Sequence, residues 1–189
     1  FLNVVIHRLP LMMERDWAAQ IAESTEDVGD AADLPARFNL IVPRSACPKC
    51  GHQIRAWENI PILSYLLLRG QCAGCKTPIS ARYPLIEGLT AVLAAIVAWR
   101  FGFGAEGLLA IGLTFALVAL SAIDIDRYLL PDSMTLPLVW LGLIMSLFHG
   151  QMDAEVLFIE PKDAIIGAAA GYLSLWSVYQ LFKLVRSEV

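Results

Sequence analysis

Long apolar stretches fill the second half of the chain, after Tyr83. Polar turns separate them into four runs, at residues 84–99, 107–123, 133–148 and 164–182. A helix needs about 20 consecutive apolar residues to cross a bilayer. The runs lie near the short end of that range, so the pattern predicts four membrane helices.

The first half of the chain has a different pattern. Residues 1–6 (FLNVVI) are apolar but too few to span a bilayer, and we interpret them as the end of a truncated first membrane helix that His7, Arg8 and Pro10 terminate. Residues 7–83 are mostly polar, with a short helix expected in MERDWAAQIAE. We therefore expect three parts: 1–6, a water-facing region at 7–83 and a helical bundle at 84–189, in a fragment of a longer protein.

Composition agrees with membrane insertion. Apolar residues make up 57% of the chain, charged residues 17%, and the mean hydropathy is +0.60. Soluble domains are about 45 to 50% apolar and about 25% charged. The net charge of −4 and the lack of a long cationic tract argue against nucleic-acid binding. The expected fold is an all-α polytopic membrane protein, a helical bundle with a small cytoplasmic insertion and the lipid bilayer as its partner.

The distribution of cations predicts the orientation. Nine of the fourteen Lys and Arg residues lie in the 7–83 segment, which should therefore stay in the cytoplasm. Alternation then places the 124–132 loop inside and the 100–106 and 149–163 loops outside. Arg100 and Lys162 are the exceptions.

Four cysteines form two C-x-x-C pairs, Cys47 with Cys50 and Cys72 with Cys75. Their separation is close to that of tetrathiolate zinc sites with two knuckles. Gly51 and Gly74 are candidates for the backbone freedom that such knuckles need. We expect a structural zinc site, because four thiolates leave no open position for water.

Two other interpretations of the cysteines stay open. They could form a redox-active dithiol, or they could be unliganded structural residues. His52 follows the first knuckle and is interpreted as a loop histidine rather than a ligand.

Carboxylates cluster where the second long apolar run ends. Asp124 and Asp126 follow this run, and Asp132 opens the next one, where an N-cap role is favoured. Residues two apart on a helix point in nearly opposite directions, so Asp124 and Asp126 should not serve one site. One of them is expected to be solvated or to pair with Arg127.

A lone carboxylate is insufficient for aspartyl proteolysis. One acid must be ionised to activate water while a second, protonated acid polarises the scissile carbonyl. Glu87 could lie at the depth of Asp124, although an acid in a first helical turn also simply complements the helix dipole.

Three segments together resemble one family. They are FLNVVIHRLP, the stretch from NLIVPRSACPKCGHQ through RYPLIEGLTA, and SAIDIDRYLLPDSMTLPLVWLGL. This combination closely resembles bacterial type IV prepilin peptidases, membrane aspartyl proteases of the G-x-G-D class. The resemblance implies an inner-membrane enzyme that cuts the basic leader from prepilins or pseudopilins. It also implies methylation of the new N-terminus with S-adenosylmethionine.

The resemblance implies roles for individual residues at matching positions. Asp124 matches one catalytic aspartate of the family. Four residues match the family's cytoplasmic cysteines: Cys47, Cys50, Cys72 and Cys75. No G-x-G-D motif occurs in residues 1–189, so the second catalytic aspartate is missing and this polypeptide is expected to lack peptidase activity. Two other functions are alternatives to the peptidase. One is a non-enzymatic membrane scaffold with a zinc-binding docking module, and the other is a small transporter.

Overall fold

The computed structural model describes residues 1–24, 37–55, 58, 60–149 and 159–187. All regular elements in these ranges are helices, which confirms the all-α prediction. They are α1 (Leu2–Ser24), α2 (Pro61–Leu67), α3 (Arg82–Phe101), α4 (Ala105–Arg127), α5 (Asp132–Ser146) and α6 (Pro161–Ser187). Two isolated β-bridges, Ala46 with Gln53 and Gln71 with Pro78, close the loops that carry the cysteines.

Three of the described helices, α3, α4 and α6, are long and apolar enough to cross a membrane. Helix α5 is apolar but shorter. At 1.5 Å per residue it is about 22 Å long, less than the roughly 30 Å hydrocarbon core. The structure thus supports three of the four predicted spans by length.

The chain divides into two compact units, Phe1–Pro131 and Asp132–Val189. In the first unit α3 and α4 pack side by side, and α1 packs against both. Apolar side chains of the three helices form its core, in which Ile123 is completely buried. In the second unit α5 packs against α6. The division of the sequence into 1–6, 7–83 and 84–189 stays a prediction.

The prediction that the first helix ends near Pro10 is wrong. Helix α1 continues past His7, Arg8 and Pro10 to Ser24 and includes the short helix expected at 13–23. Pro10 removes one backbone hydrogen bond, but its ring is fully buried in the first unit. Packing against α3 and α4 therefore maintains a helix that the local sequence alone would end.

Helix α2 was not predicted from the sequence. It is a short apolar helix between the two cysteine pairs, inside the segment expected to be polar, and it packs against α3. The loops on either side of it carry the sulfur cluster.

Candidate metal centre and membrane-edge carboxylates

The first cysteine pair lies in a tight turn closed by backbone hydrogen bonds. The N–H of Cys47 donates to the carbonyl of His52 at 2.9 Å, and the N–H of Gly51 donates to the carbonyl of Cys47 at 2.9 Å. Gly51 has a φ of 69°, which residues with a side chain rarely adopt. The turn directs the Cys47 and Cys50 side chains to one side, as the C-x-x-C spacing predicts.

The second pair repeats this scheme. The N–H of Cys72 donates to the carbonyl of Thr77 at 2.8 Å, and the N–H of Lys76 donates to the carbonyl of Cys72 at 3.1 Å. Lys76, with a φ of 58°, is the counterpart of Gly51. Aligning the two C-x-x-C motifs would have indicated this equivalence.

Gly74 differs from its predicted role. Its φ is not positive, so it does not supply left-handed backbone. It matters for space instead, because an added Cβ would lie 3.3 Å from the Cys50 sulfur and 3.2 Å from the Cβ of His52. The absence of a side chain at Gly74 lets the two knuckles approach each other.

The four cysteine sulfurs form one cluster. All lie within 4.8 Å of one another, with Cys47 Sγ 3.8 Å from Cys75 Sγ and Cys50 Sγ 3.9 Å from Cys72 Sγ. Four sulfurs around a tetrahedral zinc ion, with Zn–S bonds of about 2.3 Å, would be about 3.8 Å apart. The four sulfurs are therefore close enough together to hold one metal ion.

Hydrogen bonds make the cysteine thiols unequal. The side chain and backbone of Thr77 lower the pKa of Cys75 to about 6. Cys50 is affected in opposite directions: the backbone of His52 lowers its pKa, but the sulfur of Cys75 and desolvation raise it to about 11. Adjacent sulfurs resist joint ionisation, so four thiolates at these distances need a cation among them.

His52 has a structural partner. Its Nε2 lies 3.2 Å from Oε2 of Glu58, whose side chain is almost completely buried. The backbone N–H of Arg55 donates to the same carboxylate at 3.0 Å. These contacts, first that of Arg55 and then that of His52, lower the pKa of Glu58. The pair fixes the loop that follows the first knuckle.

Arg8 connects helix α1 to the loop that precedes the first knuckle. It is buried, and its guanidinium donates to the carbonyls of Asn39 at 2.9 Å and Pro43 at 2.7 Å. It also lies over the ring of Phe38, 5.4 Å from the centroid. Sequence reasoning assigned Arg8 only a helix-ending role, and no local pattern reveals a partner some thirty residues away.

The acids at the end of α4 differ in their contacts. Asp126 accepts a hydrogen bond from Arg82 at 2.6 Å, which connects the end of α4 to the start of α3. Arg127 pairs with Glu14 of α1 at 3.1 Å. Of the two alternatives expected for these aspartates, solvation or a pair with Arg127, the pair is not observed, and the exposed Asp124 matches the solvated alternative.

Asp124 is exposed and lies one residue after the fully buried Ile123. Among the residues that the structure describes, its carboxylate has no hydrogen-bond or ion-pair partner. Its carbonyl accepts from the N–H of Tyr128 at 2.8 Å, which closes the last turn of α4. Asp124 and Asp126 thus have different surroundings, as the two-residue spacing predicts.

Glu87 and Asp132 lie in other helices. Oε1 of Glu87 accepts from the amide of Asn3 at 2.9 Å, so this acid connects α3 to α1. The expectation that Glu87 lies at the depth of Asp124 stays a prediction. Asp132 is the first residue of α5, where its charge complements the helix dipole.

Two family models, both of peptidases, match successive parts of the chain. The sequence model described as Bacterial Peptidase A24 N-terminal domain matches residues 1–101, and that of the Type IV leader peptidase family matches residues 109–185. No solved structure matches the chain.

Curated relatives match along the whole chain. Proteins named "Prepilin leader peptidase/N-methyltransferase" are 55% identical in Stutzerimonas stutzeri, 54% in Aeromonas hydrophila and 53% in Pseudomonas aeruginosa. Each alignment covers 100% of this chain and 62% of the relative, so the chain spans about three fifths of their length. The match over residues 1–101, which is more than half of the chain, shows that this protein belongs to the bacterial A24 peptidase family.

Proposed function

We propose that this chain carries the metal-binding part and one catalytic carboxylate of an inner-membrane prepilin leader peptidase that is also an N-methyltransferase. The observation that carries the peptidase assignment is the contrast among the acids at one end of the first unit. Asp126, Glu87 and Glu14 each have a partner, whereas the exposed carboxylate of Asp124 has none among the described residues.

Asp124 would provide one half of an aspartyl protease pair. One carboxylate of the pair accepts a proton from water while the second, protonated carboxyl donates a hydrogen bond to the scissile carbonyl. Residues 1–189 contain no G-x-G-D motif, so the second acid would come from elsewhere in the full-length protein. The substrates would be prepilins, as the names of the relatives indicate, or pseudopilins, as the sequence resemblance implies.

The cytoplasmic side of the inner membrane is the proposed location of the reaction. The Arg82–Asp126 contact brings the end of α4 beside the start of α3, and only a few residues separate Arg82 from the second knuckle. The excess of Lys and Arg in 7–83 supports a cytoplasmic position for these knuckles. Asp124 would then face the leader of a substrate whose apolar stem stays in the bilayer.

The peptidase proposal is tested with Asp124→Asn and Asp126→Asn in a full-length protein that contains this chain. Mass spectrometry of a prepilin after incubation measures removal of the leader. We expect Asp124→Asn to abolish cleavage and Asp126→Asn to retain it within a few-fold, since Asp126 is engaged by Arg82. Wild-type cleavage by a correctly inserted Asp124→Asn protein would refute the assignment.

We further propose that Cys47, Cys50, Cys72 and Cys75 hold a structural Zn²⁺ ion. The sulfur spacing supports a closed tetrathiolate site, which stabilises the fold and leaves no position for a reactive water. The two sulfur contacts described above run between the knuckles, at 3.8 and 3.9 Å, as an ion shared by both pairs requires.

Metal analysis of the whole chain tests the zinc proposal. We expect about one zinc ion per chain, lost in Cys72→Ser and retained in Gln71→Ala, the matched control at the neighbouring exposed position. A chain without metal, or a Cys72→Ser chain with normal zinc content, would contradict it.

The methyl transfer would use S-adenosylmethionine, which supplies the methyl group to the new amino terminus. The name that the relatives share supports this activity. It is tested by the transfer of labelled methyl groups from S-adenosylmethionine to a cleaved pilin.

A further inference from the structure

Helix α2 has the opposite pattern to a helix on a soluble surface. Its polar residue Ser64 is buried, at 7% exposure. Ile62, Leu63, Leu66 and Leu67 are between 47 and 69% exposed. A helix surrounded by water would place the serine outside and the leucines inside.

The four exposed apolar residues share one face. Ile62 and Leu66 are four residues apart, as are Leu63 and Leu67, and side chains at this spacing lie one above the other. All four fall within an arc of about 140°, at 100° per residue. Ser64 lies outside this arc, on the side that packs against the protein. We call the four residues the α2 apolar face.

The position of α2 along α3 indicates what covers this face. Cδ1 of Ile62 lies 3.7 Å from the position that a Cβ at Gly88 would occupy. Gly88 is about 9 Å along α3 from its first residue, Arg82. Amphipathic helices at a membrane surface bury their apolar side to a depth of about 5 to 10 Å. The depth of α2 is therefore that of an interfacial helix.

The α2 apolar face is also continuous with the outer surface of a membrane-capable helix. Leu85, Leu89 and Val92 of α3 are exposed, on a helix whose length and hydropathy suit a bilayer. Lipid that covers these side chains would reach Ile62 at the level of Gly88.

Polar and aromatic residues mark the water side of α2. Arg69, two residues after the end of α2, is partly exposed, and Lys76, which directly follows Cys75, is exposed. Tyr83, in the first turn of α3, is exposed too. Aromatic rings and cations of this kind are enriched at the boundary between acyl chains and phosphates.

We propose that α2 is a membrane-surface anchor, whose apolar face inserts into the acyl boundary of the leaflet that α3 enters, while Arg69 faces lipid phosphates. The partner is bilayer lipid. Since α2 lies between the two cysteine pairs, this anchor holds the metal centre against the bilayer. The proposal requires that α3 crosses the membrane but does not depend on the catalytic role of Asp124.

A photo-reactive amino acid tests this proposal directly. It replaces Leu66 in the whole chain, and the protein is reconstituted in vesicles of phosphatidylethanolamine and phosphatidylglycerol. After illumination, mass spectrometry identifies the molecules to which the probe has become attached. The matched control carries the probe at Gln71, an exposed position in the second knuckle. Leu63 is a second test position, in case the chain with the probe at 66 does not fold.

We expect lipid adducts from positions 66 and 63 and at least tenfold fewer from position 71. Equal lipid labelling at 66 and 71 would overturn the proposal, because it would mean that labelling is non-specific. No lipid adducts at 66 and 63 in folded protein would also overturn it. If the probes form adducts only with protein, for example with a prepilin added to the vesicles, this face binds a protein partner and the lipid anchor is refuted.

Discussion

Gly51 is the residue of the metal centre whose backbone conformation restricts substitution most clearly. No atom of the residues that the structure describes lies within 4 Å of the position of an added Cβ, so a side chain would have room there. Its φ of 69° is nevertheless unfavourable for any residue with a Cβ. We expect Gly51→Ala to destabilise the first knuckle by about 1 kcal/mol, measured as a lower midpoint of zinc retention against a competing chelator.

Gly112→Ala is the matched control for this substitution. Gly112 lies in α4, where a Cβ also meets no atom within 4 Å, but its φ is not positive. Alanine is favourable in such a helical position. The metal retention of this variant should equal that of the parent, and an equal loss in both variants would contradict the backbone explanation.

Glu58 makes the stability of the region around the first knuckle depend on pH in a direction that can be predicted. The backbone N–H of Arg55 and then the side chain of His52 lower its pKa below the ordinary 4.5. A carboxylate with a lowered pKa in the folded state stabilises the fold above pH 4.5, and the stabilisation is lost as the pH falls through the lowered value.

The corresponding variant is Glu58→Gln, which keeps the shape of the side chain and removes its charge. We expect a lower melting temperature than that of the parent at pH 7, and a difference that shrinks below about pH 4.5. A difference that stays constant over this range would show that the charge of Glu58 contributes nothing.

For individual residues, the predictions from the sequence depended on the spacing between motif residues along the chain. The C-x-x-C pairs specified which sulfurs would meet, because two intervening residues fit one tight turn. The partner of Asp126 could not be read, since Arg82 is 44 residues away and the chain bends between them. The positive φ of Lys76 was also missed, because lysine gives no sign of left-handed backbone.

Helix α1 depends on its tertiary contacts. Arg8 donates to two carbonyls of the loop before the first knuckle, at 2.9 and 2.7 Å. Lysine keeps the charge but lacks the planar, forked donors of arginine. We expect Arg8→Lys to destabilise the attachment of this loop by about 2 kcal/mol. Faster tryptic cleavage after Arg37 and Arg44 would report the loss.

Arg15→Lys on the same helix is the control, because Arg15 is only partly buried and contacts its neighbour Asp16 at 3.7 Å. Its cleavage rates should match those of the parent. If Arg8→Lys behaves in the same way, the contact is not important for attaching the loop.

The apolar runs predicted α3, α4 and α6 because a membrane helix must be apolar over most of its length. The observed helices extend beyond the predicted limits, to 82–101, 105–127 and 161–187. Helix α1 was predicted to end early, because Pro10 and two basic residues normally mark a helix end. Helix α2 was missed because a seven-residue helix has too few turns for a clear periodic pattern.

The molecule as a whole should respond unevenly to metal removal. The knuckles have little apolar core of their own, whereas α1, α3 and α4 bury apolar side chains against one another. We expect a chelator to speed tryptic cleavage after Lys49, Arg55 and Lys76, which are already exposed, and after the partly exposed Arg69, because the backbone of the knuckles loosens. Circular dichroism should show that most of the helix content persists. The Cys72→Ser chain should be cleaved at these sites without chelator. Unchanged cleavage after complete metal removal would mean that the ion does not hold the knuckles together.

The division of the four sulfurs between two separate turns also bears on biosynthesis. Each turn offers only two of them, so neither could capture an ion alone. The set is complete only once Cys75 has been synthesised, shortly before the first residues of α3 emerge. Ion capture would then draw the preceding loop together just as α3 is being synthesised, coupling the assembly of the two knuckles to the formation of the next helix.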